Sequence, residues 1–281
     1  AIELAGARPV FVDIDPVSFT LDPQKIESAI SPSTKAILPV HLLGLACEID
    51  RIVKLARRYR LSIVEDAAEA MGVTYRGQHV GTFGDIGVCS FNGNKILTTG
   101  GGGMLITNNR AHADYARYLT TQAKDDPLEY MHKEIGYNYR LSNIQAAMGV
   151  AQLEQIDGFI AKKRAIAKSY ETAFRGLKKI ILMPSPAHTQ PTYWLYTVLL
   201  DGGVTLGERK KVIKTLHEKG VGARPLWHTI HDLPPYRNCQ SFQVEHSVSL
   251  YERGVSLPSS VGLEKNDLER CIAVVRESLP G

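Results

Sequence analysis

Apolar positions in the first third of the chain form short runs separated by helical stripes. Residues 9–13 (PVFVD) have the β-branched and aromatic content of a strand. Asp22 then supplies an N-cap and Pro23 a first helical residue, which predicts a helix to about residue 30. Residues 36–41 (AILPVH) read as a strand. Ile49, Ile52, Val53 and Ala56 lie on one helical face, and residues 61–64 form a further apolar run ending in Glu65-Asp66. Strand and helix therefore alternate, as in a parallel sheet with crossover helices.

Residues 86–91 and 104–107 predict two more strands. They flank a polar and then glycine-rich segment, 92–103. Residues 111–120 predict a helix, and 122–139 a long polar loop of the kind that often carries function. Leu141, Ile144 and Met148, continued by Leu153, Ile156 and Ile160, predict one long helix over 141–174. Beyond it the texture changes. Residues 193–200 predict a strand, and Thr205 with Glu208 a capping box for a helix stopping at Gly220. Leu268, Ile272 and Val275 mark a last helix. The expected organisation is a large α/β domain over 1–140, a connecting helix over 141–176 and a smaller α+β domain over 177–281.

Composition changes this picture little. The 281 residues are 44% hydrophobic and 22% charged, with a net charge of +4. That charge is small and scattered, so nucleic-acid binding is not expected. No apolar run has the length of a membrane span, and no signal peptide is visible, so a cytoplasmic location is expected. Cys47, Cys89, Cys239 and Cys271 form no CxxC pair, which predicts free thiols rather than a disulfide framework or a metal site.

Three features carry candidate chemistry. Asp66 sits past the end of a buried strand, where open α/β sheets bind ligands; it could equally be the N-cap of a helix over 67–70. Lys95 lies between two strands, and by itself is also compatible with an ordinary surface lysine. Gly100 to Gly103 fit neither a Walker A loop nor a dinucleotide fingerprint, and indicate unusual φ or a close approach.

Together these segments are more specific. Glu65-Asp66-Ala67-Ala68-Glu69-Ala70, Gly81-Thr82-Phe83-Gly84-Asp85, Ser90-Phe91-Asn92-Gly93-Asn94-Lys95 and Thr98-Thr99-Gly100-Gly101-Gly102-Gly103-Met104 closely resemble the DegT/DnrJ/EryC1/StrS family of nucleotide-sugar aminotransferases. The resemblance continues through Gly136-Tyr137-Asn138-Tyr139-Arg140-Leu141. It extends weakly through Arg224-Pro225-Leu226-Trp227-His228 and Leu257-Pro258-Ser259-Ser260.

The resemblance implies an aspartate-aminotransferase-like fold (type I PLP fold) and pyridoxal 5′-phosphate (PLP) as cofactor. Lys95 matches the lysine that holds PLP as a Schiff base and, once freed, shuttles a proton. Lys rather than His at this position favours transamination over the dehydratase branch. Asp66 matches the carboxylate that keeps the pyridine nitrogen protonated, so that the ring serves as an electron sink. Ser90 matches a phosphate ligand, and Ala67 the small residue under the ring. Glu69 stands where many relatives carry Gln or His near the phenolic oxygen. Asn138 resembles the residue that reaches the phosphate in a neighbouring subunit, which implies a homodimer, with Arg140 beside it.

The expected partners are a nucleotide-linked keto-sugar of the 4-keto-6-deoxy type and an amino-acid donor, by resemblance L-glutamate, in the biosynthesis of surface glycans such as lipopolysaccharide. The C-terminal texture is closest to the branch making 4-amino sugars for legionaminic-acid or bacillosamine-type glycans. Candidate substrate contacts are His41 at a strand end, Arg140, and Trp227 and His228 in a proline-rich stretch. His228 and His231 lack a third ligand for a metal. The resemblance also implies a segment ahead of the position matched by Ala1, with a phosphate-gripping turn; a chain without it is expected to bind PLP weakly. A non-catalytic relative keeping the dimer scaffold, and a PLP enzyme acting on free amino acids, are the alternatives.

Overall fold

The computed structural model describes residues 1–126 and 128–279; Pro127, in the predicted 122–139 loop, and residues 280 and 281 of the predicted small domain lie outside them. Four strands form the sheet that positions the site: β1 (Ala36–Ile37), β2 (Ser62–Asp66), β3 (Ile86–Ser90) and β4 (Gly103–Ile106). β1, β2 and β3 are parallel and β4 closes the edge antiparallel to β3. The helices α1 (Pro23–Ala29) and α2 (Ile49–Tyr59) start the chain's helical layer. Asp22 caps α1 through Gln24 N–H, as its sequence signature implies. Ile49, Ile52 and Ala56 of α2 are fully buried with Ile37 and Ile63 in one core. The strand expected at 9–13 forms only over Phe11–Val12, and it joins Ser241–Phe242 rather than the main sheet.

Helix α3 (Arg110–Thr120) follows β4, capped by Asn109. The loop expected at 122–139 carries a small antiparallel ladder, Lys124–Asp126 with Met131–His132. The long helix expected over 141–174 is two helices, α4 (Asn143–Leu153) and α5 (Ile156–Phe174). Gln155 causes the break. Its side-chain amide donates to the Ala151 carbonyl, and its backbone N–H turns to Gln152 instead.

The second sheet contains β5 (Ile180–Ile181), β6 (Tyr196–Leu200), β7 (Arg224–Pro225) and β8 (Gly254–Leu257), in the order β5-β6-β8-β7. β6 is shorter than expected because Tyr193 is left-handed at φ 51°, which interrupts the extended chain. Helices α6 (Leu206–Glu218), α7 (Glu245–Arg253) and α8 (Lys265–Ser278) cover this sheet. The Thr205–Glu208 capping box is present in both directions. The core here also takes in Phe19, Leu43 and Leu45 from the N-terminal half, so the two halves share packing. By contrast α4 buries no residue, and Ile144, Val150 and Leu153 are exposed. Among the described residues no helix is long and apolar enough to cross a membrane.

Candidate active site

The C-terminal ends of β2 and β3 lie side by side, since Asp66 pairs with Val88 in a parallel register. Asp66 ends β2 and Ser90 ends β3, so a carboxylate and a hydroxyl open at the sheet edge where α/β proteins take ligands. Asp66 Oδ1 also accepts from Ala68 N–H at 3.0 Å, but residues 67–70 form a turn, so the helix N-cap alternative does not hold. Ser90 Oγ accepts from Asn92 N–H at 3.3 Å and starts the turn that carries Lys95.

Lys95 is not an ordinary surface lysine: its side chain is 12% exposed. Nζ lies 3.8 Å from Glu69 Oε1 and 3.8 Å from the centre of the Trp194 ring. Among the described residues no acceptor is within hydrogen-bonding distance of that amine. Burial pushes the amine's pKa down, against the pull of Glu69 and Asp66. Burial also pushes the Glu69 carboxyl up, opposed by the Leu43 N–H and by Lys95 and reinforced by Asp66. Both groups are drawn toward their neutral forms, and a neutral amine is the nucleophilic one.

The loop 41–44 closes the site from the side. Leu43 N–H donates to Glu69 Oε2 at 2.8 Å. Gly44 takes φ 84°, and a Cβ there would lie 2.5 Å from the Trp194 nitrogen, so only glycine lets this loop meet the 192–194 segment.

Glu65, one residue before Asp66, points to the other face of the sheet and is fully buried. Oε1 accepts from Phe83 N–H (2.7 Å) and Gly84 N–H (2.6 Å). Oε2 accepts from Gly81 N–H (2.8 Å) and lies 3.0 Å from His41 Nε2. His41 Nδ1 accepts from Cys47 N–H at 3.1 Å, so the ring proton sits on Nε2 and is donated to Glu65. His41 is thus a fully buried brace, not the substrate contact expected from its strand-end position. His41 stands at the start of the 3-10 turn Leu42–Gly44, and its ring is held between Glu65 and the Cys47 N–H.

Other expectations divide. Ala67 is 2% exposed and packs in the core, so it is not open to a cofactor ring; the alternation past the strand end leaves Ala68 partly open instead. Asn138 and Arg140 are exposed on the segment bridged to Thr121, without contact to Asp66, Glu69 or Lys95 among the described residues. Trp227 is 54% exposed and stacks on Trp194, with ring centres 5.9 Å apart and planes 8° from parallel. His228 packs at 4.7 Å on Tyr251 and is exposed. Trp194 was not singled out by the sequence. It precedes an apolar strand like any core aromatic, and its contact with Lys95 spans the two halves of the chain.

The residues fit PLP. An amine without a hydrogen bond, a carboxylate at the end of the adjoining strand and a hydroxyl at the next strand end are the groups that the cofactor's aldehyde, ring nitrogen and phosphate require.

Comparisons with known proteins agree. The profile of the DegT/DnrJ/EryC1/StrS aminotransferase family matches residues 1–276. The chain is 41% identical over 280 residues to a GDP-perosamine synthase of Caulobacter vibrioides, covering 99% of this chain and 75% of that one. A crystal structure of a DegT/DnrJ/EryC1/StrS aminotransferase from Brucella abortus superimposes with a TM-score of 0.90 at 29% identity, covering 99% of this chain and 75% of the other. Helicobacter pylori PseC, an aminotransferase involved in the biosynthesis of pseudoaminic acid, superimposes with a TM-score of 0.93 at 25% identity, with the same coverage. The chain belongs to the DegT/DnrJ/EryC1/StrS aminotransferase family, has its aspartate-aminotransferase-like fold and is a PLP-dependent aminotransferase.

Proposed function

We propose that the chain aminates a 4-keto-6-deoxy hexose carried on a nucleoside diphosphate, with glutamate as donor and Lys95 as the cofactor lysine. The observation that carries this is the Lys95 amine: buried, without a hydrogen-bond acceptor, and facing Asp66 and Glu69 at the sheet edge. When bound, PLP supplies the electron sink for amino-group exchange. Asp66 holds a proton on the ring nitrogen, and Ser90 Oγ donates to the phosphate. Ala68, partly open and small, would accommodate the cofactor ring, and Glu69 would meet its phenolic oxygen. Lys95 Nζ takes and returns the proton that moves during exchange.

The name of the 41% identical relative favours a GDP-linked acceptor over the UDP-linked one of the legionaminic-acid and bacillosamine branch. Trp227, stacked on Trp194 and 54% exposed, is the candidate contact for the sugar nucleotide, and the exposed His228 and Arg140 are further candidates. The exposed apolar residues Leu128, Ile135, Ile144 and Val150 support a homodimer in which Asn138 reaches the partner's cofactor phosphate. The test offers GDP- and UDP-linked 4-keto-6-deoxy hexoses with glutamate and measures 2-oxoglutarate. Release with neither acceptor overturns the substrate class; release with the UDP sugar alone overturns the nucleotide. Borohydride reduction of the PLP-loaded protein, followed by peptide mapping, places the cofactor at Lys95 or refutes that role.

A further inference from the structure

Trp194 is 4% exposed and is held from three directions. Its indole Nε1–H donates at 2.8 Å to the carbonyl of Asn94, the residue just before Lys95. Its own carbonyl accepts from Lys163 Nζ at 2.6 Å and from Ser259 Oγ at 3.3 Å. Its backbone nitrogen rests against Gly44, where no side chain fits. Lys163 is buried on α5 and binds only carbonyl and hydroxyl oxygens, among the described residues, so its work is to fix this segment. The result of these restraints is an aromatic face 3.8 Å from the Lys95 nitrogen.

We propose that Trp194 is a positioning residue for transamination: its π face is the seat of the Lys95 ammonium during the part of the cycle in which that amine is free. This rests on Lys95 being the cofactor lysine. A lysine that takes up and returns one proton at Nζ must be stable in both forms. Burial alone favours the amine. A strong carboxylate partner would lock the ammonium, but Glu69 stands off at 3.8 Å and is itself drawn toward its neutral form by burial. Asp66, the other charged group facing Nζ, is committed to the Ala68 turn and, when PLP is bound, to the ring nitrogen. The Trp194 ring attracts the ammonium through its quadrupole and does not titrate. It also fixes where Nζ waits, because Nε1–H ties the ring to the main chain that carries the lysine.

The test reads the proton at Lys95 without relying on turnover. The chain without added cofactor is labelled with acetic anhydride across a pH series, and modification of the Lys95 peptide is followed by mass spectrometry. Tetrafluorotryptophan is placed at position 194; it keeps the shape and the N–H while removing most of the ring's negative face. Trp194→Phe keeps a π face and loses the N–H. The labelling midpoint is expected to fall by about one pH unit with the fluorinated ring, and by less in Trp194→Phe. An unmoved midpoint with the fluorinated ring overturns the role of Trp194. Borohydride mapping of the PLP-loaded wild type is run beside it. Attachment at another lysine overturns the proposed function, whereas attachment at Lys95 with an unmoved midpoint overturns this inference alone.

Discussion

Glu65→Gln changes one atom type at a buried and fully hydrogen-bonded carboxylate. Glu65 accepts four hydrogen bonds, two at each oxygen, and is completely buried. A glutamine fits the same space but offers one accepting oxygen. In either orientation of the amide, two buried N–H donors face an NH2 group. His41 cannot relieve the conflict by moving its proton, because Nδ1 already accepts from Cys47 N–H. Each buried donor left without an acceptor costs about 1–3 kcal/mol, so the variant is expected to lose about 2–6 kcal/mol. The assay is urea unfolding, where the midpoint should fall with little change in slope. A loss below about 1 kcal/mol would show that the carboxylate does not hold the 81–84 loop in the way its geometry indicates.

The pH dependence gives a second reading of the same pair. Burial pushes the Glu65 carboxyl up, but the His41 hydrogen bond and the Gly84 and Gly81 N–H groups outweigh it and set it below the ordinary value. Its folded pKa is therefore depressed relative to the unfolded chain. The stability it contributes is full above the unfolded value, about 4.3, and is lost as pH falls through the folded one. The gap between wild type and Glu65→Gln should close in that acid range and stay open at neutral pH.

Three further perturbations bear on the site and its setting. Gly44→Ala forces an L residue to φ 84° and aims its Cβ at the Trp194 nitrogen; the backbone penalty alone is about 1–2 kcal/mol, and a thermal midpoint equal to wild type would refute the contact. Burial brings Lys163 down to about 7, so between there and the free-lysine value near 10.4 the unfolded chain binds more protons and stability rises with pH. Lys163→Met should lack that rise in a series of melts, and identical slopes would refute the buried-amine reading. Ile144→Glu sits at a residue 79% exposed in the single chain, so folding should change by less than about 0.5 kcal/mol while self-association weakens at least tenfold in sedimentation. Unchanged association would remove this face from the proposed dimer.

The sequence reached the parts of the site that are written locally. Asp66 and Ser90 end adjacent parallel strands, and strand ends are visible as apolar runs that stop. Lys95 gained weight from neighbours within a few dozen residues. The same logic failed wherever one residue of phase decides the outcome. Ala67 and Ala68 are chemically identical, and only the turn after β2 tells which one enters the core. His41 shares its strand end with Asp66, yet its ring is held between Glu65 and the Cys47 N–H. Periodicity likewise placed α4 in a helix, though as part of one longer helix over 141–174, and could not say what covers it: Ile144, Met148 and Leu153 form a stripe that the single chain leaves open.

The largest omission has a different cause. Trp194 meets Lys95 and Asn94 across a hundred residues of chain, and Lys163 meets Ser259 across nearly as many. No local pattern encodes such contacts, because each partner looks ordinary in its own segment: an aromatic before a strand, a lysine in a basic helix. Only packing of the second half of the chain against the first brings them together. The site is therefore shared in a definite way. The first half carries the residues proposed for chemistry, and the second half carries the ring that packs on one of them, Lys95, and the buried amine that binds the ring's backbone. Substitutions that loosen the packing of α5 on the 192–194 segment should then disturb the Lys95 environment without touching any group at the sheet edge.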